Sequence, residues 1–88
     1  MRFSIEERHL TDTNGRPFEG PDAVSFQTCD AENVDEAVRL YIAKDHAELI
    51  GNVLKFPGFH AVATVRKATG VYTLQFNPTS QRDLRAIE

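Results

Sequence analysis

Residues 60–78 read HAVATVRKATGVYTLQFNP, and this stretch decides the fold because two alternating runs flank the sequence KATGV at residues 67–71. Alternation with a period of two is typical of β-strands, and a glycine between two such runs is typical of a hairpin turn. We therefore predict antiparallel strands at about residues 60–67 and 71–77. Gly70 is predicted to take the left-handed position of a three-residue loop.

This loop length pairs Lys67 with Val71 and so determines which side chains share a face of the hairpin. The face predicted to pack on a helix carries Val62, Thr64, Tyr72, Leu74 and Phe76. The second face carries Ala61, Ala63, Val65, Val71, Thr73 and Gln75. Because a solvated sheet face usually carries charged and long polar side chains, this small uncharged face predicts contact with a protein partner or with a second copy of the chain.

An internal cover for the second face is the alternative. The chain continues as PTSQRDLRAIE, in which Ser80 can cap a short helix that carries Leu84 and Ile87 one turn apart. Either residues 80–87 lie over the second face, or another chain does.

The main helix is predicted at about residues 33–49. Asn33 is placed as the N-cap, with Glu36 three residues later in the manner of a capping box. Gly51 is predicted to end the helix in a left-handed cap. An apolar stripe at helical spacing comprises Val34, Ala37, Val38, Tyr41 and Ile42.

The N-terminal part of the chain predicts a β-hairpin. Phe3 and Ile5 alternate with polar residues, and Leu10 has the opposite parity, which predicts a bulge or a strand end between Ile5 and Leu10. Asn14-Gly15 is a strong turn signal. A second strand is predicted at residues 23–29, with three side chains on one face: Val24, Phe26 and Thr28.

The predicted fold class is α+β, with one domain spanning residues 1–88. The antiparallel sheet has four strands, or five if residues 53–56 form one. The elements follow the order β-β-α-(β)-β-β, with one main helix packed on one face and a short C-terminal helix as an addition.

Composition favours a small cytoplasmic protein, and we expect one of bacterial or phage-like character. The single cysteine, Cys29, excludes an internal disulfide and fits a reducing compartment. The N-terminus has no continuous apolar region of the signal-peptide type, and no apolar run approaches the ~20 residues that cross a bilayer. We therefore expect no association with a membrane.

Catalytic and metal-binding patterns are weak. A nucleophilic role for Cys29 would need a nearby base, and the three histidines (His9, His46 and His60) are scattered. Metal sites usually draw their ligands in close pairs, which this chain does not have. Glu6 and Glu7 are neighbours on a strand and point to opposite faces. We expect no cofactor, no metal and no catalytic activity, and an enzyme with a Cys29 nucleophile is the third hypothesis.

The second hypothesis is a regulator that binds nucleic acid. Net charge is −3, yet the charged residues from position 52 to position 82 are all basic, namely Lys55, Arg66, Lys67 and Arg82. Basic residues interleaved with aromatic ones can bind a phosphate backbone and stack on bases. The nearby aromatic residues Phe56 and Phe59 flank a Pro-Gly turn. We expect both to pin that turn onto the sheet, and the alternative is that one of them faces outward as a contact residue.

Overall fold

A computed structural model describes residues 1–79 of the chain and confirms the α+β class, with a five-stranded antiparallel sheet and one helix. The elements are β1 (Arg2–Thr11), β2 (Val24–Asp30), α1 (Val34–Asp45), β3 (Glu48–Phe56), β4 (His60–Lys67) and β5 (Gly70–Pro78). The predicted C-terminal helix with Ser80, Leu84 and Ile87 lies outside the described residues, as does Arg82. Within residues 1–79, no helix is long and apolar enough to cross a membrane.

Across the sheet the strands run in the order β2-β1-β5-β4-β3, which is not their order along the chain. The first strand lies between the second and the last, with Phe3 opposite Pro78 and His9 opposite Tyr72. The β1–β5 register shifts between His9 and Thr11, so the predicted irregularity falls beside Leu10. The fifth strand is β3, which is longer than the predicted segment 53–56.

The helix begins as predicted and ends earlier. The Asn33 side chain accepts a hydrogen bond from the backbone N–H of Glu36 at 2.9 Å. The left-handed C-cap is His46, with φ 53°, and the N–H of Ala47 donates to the carbonyl of Ile42 at 3.0 Å. The prediction of Gly51 as the cap is therefore wrong. Gly51, with φ 73°, lies in β3 where the β3–β4 register shifts between Ile50 and Leu54.

The core lies between the helix stripe and one face of the sheet. The predicted stripe is confirmed, since Val34, Ala37, Val38 and Tyr41 are buried and Ile42 packs against them. The sheet contributes Phe3, Ile5, Ala61, Ala63, Val65, Leu74 and Phe76. The rings of Tyr41 and Phe76 meet edge to face, with centroids 6.5 Å apart.

The predicted pairing of the β4–β5 hairpin is wrong by one residue. Lys67 pairs with Gly70, not with Val71, and the turn is Ala68-Thr69. Gly70 is buried with φ 136°, and a Cβ atom there would overlap the carbonyl oxygen of Thr11. Glycine at this position therefore belongs to the strand, where it lets the end of β1 approach closely.

This one-residue difference moves every β4 side chain to the other face of the sheet, because strand side chains alternate. Ala61, Ala63 and Val65 are 1%, 1% and 0% exposed beneath the helix, so they are core residues of the monomer. The opposite face instead carries Val62, Thr64, Val71, Thr73 and Gln75. Of the predicted partner-binding set, Val71, Thr73 and Gln75 therefore remain on the face away from α1.

Candidate functional site

The open face, as we name the sheet face opposite α1, is built from residues that pair across all five strands. One row crosses the sheet in register from β2 to β3: Phe26, Glu6, Gln75, Val62 and Leu54. The next row is Val24, Arg8, Thr73, Thr64 and Ile50. Within residues 1–79 no helix or strand packs on this face, because the helix lies on the other one.

Charges on the open face are balanced in local pairs. Arg8 lies 2.8 Å from Glu6 on β1. Two further pairs join neighbouring strands, Arg2 with Asp30 at 3.2 Å and Arg66 with Glu48 at 3.1 Å. These pairs have exposed members and so contribute little stability. Because each pair joins one basic and one acidic residue, the open face has no net charge, although the chain carries −3.

Large apolar side chains stand out from both edges of the open face. Phe26 on edge strand β2 is 67% exposed, and Leu54 and Phe56 on edge strand β3 are 58% and 51% exposed. Smaller apolar side chains, including Val62, lie between these edges. Polar side chains of β1 and β5, among them Glu6 and Gln75, separate the two apolar edges. Exposed apolar side chains that are grouped on one face mark a candidate interaction surface, whereas single scattered ones do not.

The β3–β4 turn, next to Phe56 at the end of β3, carries a further exposed aromatic side chain, Phe59. Phe56 and Phe59 are each 51% exposed, so the expectation that both pin the turn onto the sheet is wrong. The backbone of Phe59 has φ 66°, a left-handed conformation that bulky residues rarely adopt. A bulky apolar residue that is both strained and half-exposed at a turn is a candidate contact residue.

A polar cluster lies on the helix side of the sheet, where the core meets the end of α1. Its centre is the buried carboxylate of Glu7, which lies 2.8 Å from the ammonium of Lys67. Ser25 donates to Glu7 at 3.0 Å, and the Tyr41 hydroxyl donates to it as well. Lys67 also lies 3.5 Å from Asp45 of the helix.

These contacts set the pKa values of the cluster. Burial alone would raise the pKa of Glu7, but hydrogen bonds from Lys67, Tyr41 and Ser25 outweigh it and lower the pKa below its usual value. Burial, and then the hydrogen bond to Glu7, raise the pKa of Tyr41. No buried side-chain nitrogen or oxygen in the described part of the chain lacks a hydrogen-bond partner. The cluster is therefore satisfied internally, as a structural polar network is.

An aromatic stack adjoins this cluster. The ring of His9 lies between those of Phe18 and Tyr72, with centroid distances of 3.8 Å and 4.1 Å. Lys67 lies on Tyr72 as well, with its ammonium 4.4 Å from the ring centroid. The stack fixes the irregular connection between β1 and β2 against the sheet, because Phe18 belongs to that connection.

The predicted nucleic-acid-binding residues do not form one basic surface. Lys55 lies 3.0 Å from Asp35, and Arg66 is paired with Glu48 on the open face. Lys67 lies on the other face, with its side chain only 16% exposed between carboxylates. Each described basic residue of this set thus has an acidic partner nearby. The hypothesis that the protein binds nucleic acid stays a prediction.

Cys29 and the histidines are dispersed through the fold. Cys29 packs against the core, and burial followed by the charge of Asp30 raises the pKa of its thiol above its usual value. His9 is in the aromatic stack, His46 caps the helix, and His60 lies 2.7 Å from the Asn77 side-chain oxygen. Across residues 1–79 no cluster of three His, Cys, Asp or Glu has the geometry to hold a metal ion.

Comparisons of the chain with protein-family models, with curated proteins and with solved structures gave no match.

Proposed function

We propose that the protein is a small non-catalytic protein-binding module that uses the open face of its sheet. One observation carries the proposal: large apolar side chains are exposed at both edges of this face, Phe26 on β2 and Leu54 and Phe56 on β3. The local pairing of its charges supports the same function, because a partner that covers the face meets no excess of either sign.

The matched pair of variants for a test is Leu54→Arg and Leu40→Arg. Leu54 lies on the open face and is 58% exposed, whereas Leu40 lies on the helix and is 45% exposed. Both variants place an arginine at an exposed leucine, so they change charge and hydrophobicity equally. Equal urea-unfolding midpoints would establish that neither change unfolds the protein.

The experiment is affinity capture from a lysate of the source cells with the wild type and both variants. Each protein retained by the wild type and by Leu40→Arg, but lost with Leu54→Arg, would then be purified and titrated. We expect Leu54→Arg to weaken direct binding at least tenfold. Equal capture and equal affinity for all three proteins would contradict a role of the open face.

A further inference from the structure

We infer that the partner of the open face is a second copy of this chain, related by a two-fold axis that runs along β5. The inference rests on the proposed function, because it uses the same surface, and it adds the identity and the orientation of the partner. In the order β2-β1-β5-β4-β3, the middle strand is β5. A two-fold axis parallel to β5, midway between two facing sheets, places β2 of one copy over β3 of its partner.

This symmetry brings the exposed apolar edges together. Phe26 and Leu54 lie at opposite ends of one row of paired residues. The two-fold rotation places this row of one copy over the same row of the other copy, with its two ends exchanged. Phe26 of each copy therefore covers Leu54 of the other, so the contact forms twice. These residues are 67% and 58% exposed in the monomer.

The usual angle between packed sheets keeps these contacts within reach. Strands are about 4.8 Å apart, so an edge residue lies about 10 Å from the axis. An axis inclined by about 15° to β5 makes the two sheets cross at about 30°, which moves that residue by about 5 Å along the strand direction. Phe26 then lies between Leu54 and Phe56 of the other copy, both of which are apolar and exposed.

The charge of the open face permits a second copy as its partner. The three ion pairs of the open face balance within each copy, so two copies bring no net like charge into the interface. The excess of −3 lies elsewhere in the chain. Two surfaces with a strong field of one sign would repel each other, whereas this face does not oppose its own image.

The size of the face predicts a weak dimer. Five strands at about 4.8 Å spacing and about 25 Å in length give roughly 600 Å² per copy. Stable standard interfaces bury about 800 Å² per partner. We therefore expect dissociation in the micromolar range, where an association that depends on concentration is measurable.

The test is sedimentation equilibrium of the full chain from about 1 to 300 µM (a range that brackets micromolar affinity). The variants are Phe26→Arg, Leu54→Glu and an equimolar mixture of the two, with Leu40→Arg as the control. Each single variant disrupts both copies of the Phe26–Leu54 contact. In the mixed dimer one contact is native, and the other pairs the introduced arginine with the introduced glutamate.

We expect the wild type and Leu40→Arg to dimerise, each face variant to lose at least tenfold in affinity, and the mixture to recover it. A wild type that dimerises while the mixture fails to recover would overturn the orientation. A wild type that stays monomeric to 300 µM would overturn the second copy as partner. Direct binding of a purified captured protein that weakens with Leu54→Arg would in that case still support the proposed function, so the two failures are distinguishable.

Discussion

The carboxylate of Glu7 and the ammonium of Lys67 lie 2.8 Å apart although 60 residues separate them in the chain. The contact reaches across β5, since Glu7 is on β1 and Lys67 is at the end of β4. It therefore fixes three neighbouring strands relative to one another beneath the end of the helix.

We expect Glu7→Gln to lower the free energy of unfolding by about 3 kcal/mol, because it leaves a largely buried ammonium without its main partner. The side chains of Lys67 and Glu7 are 16% and 11% exposed. Glu6→Gln is the matched control, since Glu6 pairs with the exposed Arg8 on the open face. Urea unfolding that gives equal losses for both variants would contradict this role of Glu7.

Acid should destabilise the protein through the same carboxylate. The pKa of Glu7 in the folded state is held below its usual value of 4.5. A lowered pKa contributes stability above the unfolded pKa, and this contribution is lost as pH falls through the folded pKa. The difference in stability between wild type and Glu7→Gln should shrink below about pH 4.5. A difference that stays constant from pH 7 to pH 3 (measured by urea unfolding) would contradict this linkage.

Alkali should destabilise the protein through Tyr41. Burial and the hydrogen bond to Glu7 raise the pKa of Tyr41 above its usual value of 10.0. The folded state then keeps the phenol protonated while the unfolded chain ionises, so stability should fall as pH rises above 10. Absorbance of the tyrosinate ion in native and urea-unfolded protein measures the effect. Equal titration of both tyrosines in the native protein, as in the unfolded chain, would argue against it.

Replacement of Gly70 by alanine should be far more destabilising than the same change at Gly51. Both glycines have positive φ, but a Cβ at Gly51 meets no atom within 4 Å, whereas one at Gly70 would overlap the backbone of Thr11. We expect about 1 kcal/mol for Gly51→Ala from left-handed strain alone, and about 3 kcal/mol or more for Gly70→Ala. Thermal unfolding of both variants measures the difference in stability. Equal losses of stability would show that the end of β1 moves to accommodate the Cβ atom at position 70.

Replacement of His46 by glycine should stabilise the protein by about 1 kcal/mol, because His46 holds the left-handed cap with φ 53°. Ala43→Gly is the control in the same helix, where glycine should instead lower stability by about 1 kcal/mol. Opposite signs in urea unfolding would identify the cap as the cause. A loss of stability in both variants would show that the His46 side chain contributes more than its backbone strain removes.

The helix was predictable from the sequence because its signals are local. The stripe from Val34 to Ile42 and the Asn33 cap depend on residues within a few positions of one another. The β4–β5 register was not predictable in the same way. A loop of two residues and a loop of three both accommodate Gly70, and the choice depends on the approach of Thr11 from a distant strand.

The open face was therefore only half identified. Val71, Thr73 and Gln75 lie on it, but the one-residue error exchanged the β4 residues, and Val62 and Thr64 were assigned to the core. The exposure of Phe26 also went unnoticed, although its parity with Val24 and Thr28 was correctly predicted. Placing β2 at an edge of the sheet required the β1–β5 pairing, which no local pattern encodes.

The Glu7 cluster was missed although a signal existed. Glu7 is two residues after Ile5 and four after Phe3, so all three side chains lie on the same face of a strand. A strand that buries Phe3 and Ile5 therefore also buries the Glu7 carboxylate. A buried carboxylate requires a partner. The identity of that partner, Lys67, follows from the tertiary fold and not from the strand itself.

The position of β1 between β2 and β5 has a consequence for synthesis of the chain on the ribosome. The β1–β2 hairpin and the helix leave the exit tunnel early, but the inner edge of β1 has no partner until residues 70–78 emerge. Contacts between distant segments slow folding, because the closure of long loops precedes the gain from the contacts. The nascent protein should therefore remain susceptible to proteases until β5 has emerged.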